Sequence, residues 1–166
     1  AMQWPLMRRA DHALLAEPAV SVGLRKSRTL PISAIAPELY RSVNVQEEWG
    51  RVFERPARIP QAGMVVMGRQ RNNPALVARF TAAYVDAMQW CNGVPEQCGE
   101  QVAARIDMLT PEGVADAVRA AQDPVVPAAQ AREELEFFFS QLHAAQPGLI
   151  GGRLPEADFY YSGVTA

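Results

Sequence analysis

Proline placement constrains this chain more than any other feature of its sequence. Five of its thirteen prolines, Pro18, Pro74, Pro95, Pro111 and Pro127, stand at the head of a segment that can wind as a helix. The fixed φ of proline suits the first helical position, where its missing N–H would have had no partner anyway. Deeper in a helix, or in a central strand, the same residue breaks the hydrogen-bond ladder, so each of these prolines marks a beginning. The pattern is strongest from Asn73. That residue supplies a cap, Pro74 takes the first position, and Leu76, Phe80, Tyr84, Ala87 and Cys91 share one face. A second helix is expected from Pro95, with Glu96 in its first turn, and a third from Thr110-Pro111-Glu112, where Thr110 can cap and Glu112 suits the positive end of the dipole. The last long helix starts near Pro127. It places Ala131, Leu135, Phe138 and Leu142 on one stripe, turns Arg132, Glu133 and Glu136 to water, and commits its aromatic run to the core.

Between these helices the apolar runs at 12–16, 39–43 and 62–67 read as strands. Residues 19–24 wind as a helix entered through Pro18, and residues 46–53 as one or two helical turns carrying Trp49. Strands separated by helices predict an α/β chain with few, largely parallel strands. Three strands are a thin sheet for so many helices, so further residues are expected to complete it.

With 166 residues, 49% of them hydrophobic, the chain is close to the size of one domain and long enough to bury a core. Sixteen Lys and Arg against eighteen Asp and Glu give a net charge of -2, without the basic excess that holds phosphate backbones, and no nucleic-acid partner is expected. Arginine supplies all of the basic residues except Lys26, which reads as compositional bias. Glu17 and Pro18 interrupt the longest apolar stretch, so nothing approaches the run of about 18 apolar residues that spans a bilayer, and a soluble chain is predicted.

Catalytic chemistry finds little footing. His12 and His143 fall in a predicted strand and a predicted helix, no serine occupies an exposed-turn motif, and no catalytic residue is assigned. Gly151-Gly152 follows a helix instead of opening one, which excludes a phosphate-cradling loop or dinucleotide fingerprint there, and no cofactor is expected. Two cysteines are too few for a closed zinc site, and no metal site is expected. Cys91 and Cys98 flank a turn at Asn92-Gly93-Val94-Pro95. They can form a local disulfide if the turn brings their Cα atoms within about 7 Å, or remain as two buried thiols. The adjacent carboxylates Glu47-Glu48 and Glu133-Glu134 point in different directions along their helices and read as surface.

One junction has functional promise. A strand passing through Glu17-Pro18 into a helix would present free backbone N–H groups where ligands gather in open α/β sheets, with Ser21 adding a hydroxyl. Glu17, Pro18, Ala19 and Ser21 are therefore candidate ligand-binding residues, against the plainer alternative that Glu17 caps the helix and Pro18 starts it. Gln61 and Gly63 form a second candidate, since small residues before a strand admit a group close to the backbone; the alternative is a tight strand entry.

Three stretches carry a family resemblance: Asp11-His12-Ala13-Leu14-Leu15-Ala16-Glu17-Pro18-Ala19, Arg41-Ser42-Val43-Asn44-Val45-Gln46-Glu47-Glu48-Trp49, and Ile59-Pro60-Gln61-Ala62-Gly63-Met64-Val65-Val66. Together with Leu154-Pro155-Glu156-Ala157-Asp158-Phe159-Tyr160-Tyr161, they resemble the C-terminal half of periplasmic substrate-binding proteins of ABC importers, in the nitrate, sulfonate, taurine and thiamine-pyrimidine class. The resemblance implies a helix-rich half of a two-lobed type II binding-protein fold. Residues 1–58 would form the second half of the second lobe, and residues 59–166 the crossing strand and the helices returning to the first lobe. It further implies capture of a small polar or anionic organic solute without chemistry, an ABC permease as partner, and a periplasmic location whose oxidising conditions favour a Cys91–Cys98 bridge. Because members of that family are longer, a missing N-terminal half or a second copy would cover Leu135, Phe138, Phe139, Leu142 and the 62–67 strand. Two alternatives accompany this reading: a pyrimidine-precursor synthase-like enzyme on the same scaffold, using a histidine-centred metal site, and a ligand sensor or scaffold protein.

Overall fold

The computed structural model describes residues 9–121 and 124–162, and among these it is entirely helical, with 61% helix and 0% strand. The expected α/β class is thereby corrected. Residues 12–16, 39–43 and 62–67 carry no ladder, and apolar side chains within them lie open to solvent, Leu14 at 82% and Val65 at 72% exposure. Each run is bounded by a proline, Pro18 after the first, Pro37 before the second and Pro60 before the third, which withholds a donor at the point where pairing would begin. An apolar run becomes a strand only when a neighbour satisfies its backbone, and among the described residues no second strand lies beside any of the three.

Among the described residues six α-helices are formed: α1 (Ala19–Arg28), α2 (Val45–Phe53), α3 (Pro74–Gly93), α4 (Pro95–Ala103), α5 (Pro111–Ala121) and α6 (Ala128–Ala145). The helix-starting prolines act as their position dictates. Pro74, Pro95 and Pro111 open α3, α4 and α5, while Pro18 and Pro127 stand just before α1 and α6. Side-chain caps assist several of them: Asn73 Oδ1 accepts from the Leu76 N–H at 3.1 Å, Thr110 Oγ1 from the Gly113 N–H at 3.2 Å, and Asn44 Oδ1 from the Gln46 N–H at 3.1 Å.

The chain divides into two compact units. One comprises Ala1–Ser42 with Tyr84–Pro124, the other Val43–Ala83 with Val125–Ala166, and α3 begins in the second and ends in the first.

In the first unit, α4 lies close against α5, and α1 packs on α5. Two glycines permit this. A Cβ on Gly99 would overlap the backbone of Pro111, lying 2.9 Å from its carbonyl carbon, and one on Gly113 would stand 2.5 Å from Val22 Cγ2. Val22, Cys98, Val114, Ala115 and Ala117 form the buried core. Around it runs a chain of ion pairs. Arg25 of α1 grips Asp116 of α5, with Nη2 donating to Oδ1 at 2.9 Å, and Arg119 joins Asp116 to Glu96 of α4.

The second unit is held by rings. Trp49 and Phe53 of α2 meet Phe137 of α6 at centroid distances of 5.7 and 5.3 Å, each edge to face. After α2 the chain lays Arg55 over the Phe137 ring at 4.3 Å and pairs it with Glu133 at 3.0 Å, while Arg58 pairs with Glu134 at 2.7 Å. Of the adjacent carboxylates read as surface, Glu133 is exposed and Glu134 half-buried, and both pair with arginines of the segment that follows α2. After α6, Gly151 and Gly152 take positive φ of 76° and 86°, and the returning chain sets Phe159 against Phe139. Tyr160 is buried, at 5% exposure. No side chain of α6 is fully buried, so its aromatic run is half-covered instead of forming a closed core.

Candidate functional site

The N-terminus of α1 brings together part of what the sequence singled out. Glu17 Oε2 accepts the Ser21 N–H at 3.1 Å, placing a carboxylate on the positive end of the helix. Arg41 closes the group: its Nη2 donates to Ser21 Oγ at 3.0 Å and also to Glu17 Oε1. Ser21 is buried, Glu17, Pro18 and Ala19 are half-buried, and the guanidinium of Arg41 remains half-exposed. The chain's own carboxylate therefore occupies the position that an external anion would take. Arg41 had no signal in the sequence, because nothing local marks a partner 24 residues from Glu17.

Gln61 and Gly63 lie in the other unit, on the exposed segment between Pro60 and the short 3₁₀ turn Gly68–Asn72. A Cβ on Gly63 would meet nothing within 4 Å, so no close approach requires glycine there. His12 is exposed and irregular, and His143 Nε2 lies 3.2 Å from the Gly152 carbonyl oxygen at the end of α6. Among the described residues no three His, Cys, Asp or Glu side chains approach closely enough to hold a metal ion.

Cys91 and Cys98 are joined in a disulfide with their Cα atoms 5.0 Å apart, which resolves the two readings left by their spacing. The bridge ties the last turn of α3 to the first turn of α4, and the Cys98 end is buried.

An extended exposed apolar surface lies on α3. At 100° per residue, Leu76, Phe80, Ala83, Ala87 and Trp90 fall within an arc of about 80°, with Tyr84 at its edge. All six are exposed, Phe80 at 60% and Trp90 at 46%. Leu76, Phe80, Tyr84 and Ala87 belong to the face that the spacing picked out, which in an amphipathic helix would turn inward; Cys91, the last member of that face, is half-buried. Instead Val77 is buried and Ala78, Thr81, Val85 and Met88, on the other side, are half-buried. The helix is apolar on two sides. Only Arg79 and Asp86 carry charge on it; both are exposed, and neither forms an ion pair with another described residue. A helix nearly free of charge over five turns was the available signal that more than one face seeks cover.

The excess extends beyond α3. Among the described residues seven apolar side chains are buried, while twenty large ones stand exposed. Comparison with family models, with curated proteins and with solved structures finds no match.

Proposed function

We propose that this chain is a non-catalytic docking module, a scaffold component that holds another polypeptide on the exposed apolar face of α3. The observation that carries the reading is the juxtaposition of Leu76, Phe80, Tyr84 and Trp90 on one solvent-facing side of a helix whose end is pinned by a disulfide. Large aromatic side chains on a pre-ordered backbone bind at little entropic cost, and they dominate protein interfaces. The bridge supports an oxidising setting such as the periplasm. A photo-crosslinking amino acid at position 87, within the stripe, tests the proposal in the producing cell. A covalent adduct to a polypeptide is expected there and not from position 82, which is exposed on the far side of the helix. Equal labelling from both positions, or none from either, would refute a docking role.

A second reading keeps a solute. It is favoured by the convergence of the Arg41 guanidinium, the Ser21 hydroxyl and the N-terminal amides of α1, which a small sulfonate or carboxylate could engage by displacing Glu17. In that reading the chain is the capturing component of an ABC importer that delivers to a permease, as the resemblance implies, holding its solute on helices instead of a sheet. A rise in melting temperature with taurine, sulfonates or nitrate that Arg41→Ala abolishes would support it, and no shift with any of them would count against it.

A further inference from the structure

Resting on the docking reading, we infer that the polypeptide seated on α3 is a second copy of this chain, paired antiparallel through the same helix. The argument begins with the two charges. Arg79 and Asp86 lie seven residues apart, two turns along the axis, too far to pair within one helix, yet on the same flank of the apolar stripe, beside Ala83 and Trp90. When a two-fold axis relates two antiparallel helices, each flank meets its own equivalent; in a parallel pair, opposite flanks meet. Only the antiparallel arrangement therefore brings this flank against itself. Set level with each other, Arg79 meets Asp86 of the second copy and Asp86 meets Arg79, giving two symmetric ion pairs from two side chains that lack partners among the described residues.

That register also fits the stripe. Along the axis the stripe is centred at Ala83, so the two Ala83 methyls lie at the crossing and let the helices approach closely. Phe80 then falls beside Ala83 and Ala87 of the second copy, and Leu76 falls between Ala87 and Trp90, so large side chains meet small ones along a contact about 21 Å long. Charge and size are thus self-complementary in one register. The face is already ordered by the covalent link at Cys91, immediately beyond the stripe.

The test uses charge reversal at exposed positions, which leaves helix content, and the melting temperature of the dilute monomer, intact as a control. By sedimentation over a range of concentrations the unmodified chain is expected to dimerise, and R79E or D86R alone is expected to raise the dissociation constant roughly ten- to thirtyfold, because each variant sets like charges against each other twice. Two rescues are specific to this geometry. An equal mixture of R79E with D86R should re-associate as a heterodimer, and the double variant R79E/D86R should dimerise with itself, since both restore two opposite-charge pairs. A chain that stays monomeric to the limit of its solubility, or a dimer indifferent to R79E, overturns the proposal. If a monomeric chain still crosslinks from position 87 to a different protein, self-pairing falls while the docking reading survives; if it crosslinks to nothing, both fall.

Discussion

Tyr160 shows how one side chain can be held by its surroundings without being satisfied by them. Its ring lies under the Arg132 guanidinium at 5.1 Å and against Phe159 at 5.2 Å, while its buried hydroxyl has no hydrogen-bond partner among the described residues. An unpaired buried hydroxyl carries a cost of about 1–3 kcal/mol, so Tyr160→Phe should leave stability unchanged or raise it by up to about 1 kcal/mol, read from the denaturant midpoint. Burial, aided by Glu136 and opposed by Arg132, pushes the hydroxyl's pKa above the ordinary tyrosine range. A group whose pKa is raised on folding contributes stability below its unfolded pKa, about 10, and loses that contribution as pH rises through the folded value. Stability should therefore fall on the alkaline side, and the fall should be shallower in Tyr160→Phe.

At the scale of elements, the contact between α4 and α5 depends on a missing side chain. In Gly99→Ala the new Cβ meets the Pro111 backbone, which cannot rotate away as a side chain could, so a loss of about 3 kcal/mol, the upper end for overpacking, is expected by thermal or chemical denaturation. Gly148→Ala, where a Cβ meets nothing within 4 Å, should stay within about 0.5 kcal/mol of the parent and serves as the control. The ion pair joining α1 to α5 has a signature in acid. Hydrogen bonding from Arg25 holds the Asp116 carboxyl below the usual aspartate range. A depressed carboxylate pKa contributes stability above the unfolded value near 4 and loses it as pH falls through the folded one. Asp116→Asn should accordingly flatten the acid limb of the stability curve. Because Arg25 and Asp116 are both partly exposed, the effect should stay below about 1 kcal/mol.

For the molecule as a whole, the placement of the disulfide gives the two units different responses to reduction. Cys91 and Cys98 close a short loop inside the first unit. Removing both as Cys91→Ser/Cys98→Ser should cost about 2–3 kcal/mol by the loop-entropy estimate. Amide hydrogen exchange is the measurement: protection should fall in α1, α4 and α5, while α2 and α6, held by Trp49, Phe53 and Phe137, keep theirs. Uniform loss across all five helices would show that the units unfold together.

What the sequence determined by itself is local. The prolines set where helices begin, because φ and the absent N–H are properties of the residue; Asn73 and Thr110 cap where their spacing said they would, because a cap reaches only three residues. The Cys91–Cys98 bridge was permitted by spacing and favoured by the resemblance, since a turn containing Gly93 and Pro95 is itself a local object. Tertiary structure alone decided whether apolar runs paired as strands, and it decided against it, because a ladder needs a distant neighbouring strand and none lies beside these runs among the described residues. It also decided which of the two apolar sides of α3 turns inward: Val77 with Val85 and Met88, and not Leu76 with Phe80 and Trp90. Periodicity can show that a face is apolar, but what lies opposite that face is a long-range contact. For the same reason the partnership of Arg41 with Glu17 and Ser21 at the candidate ligand site was beyond reach of the sequence, although both halves of it were in plain view.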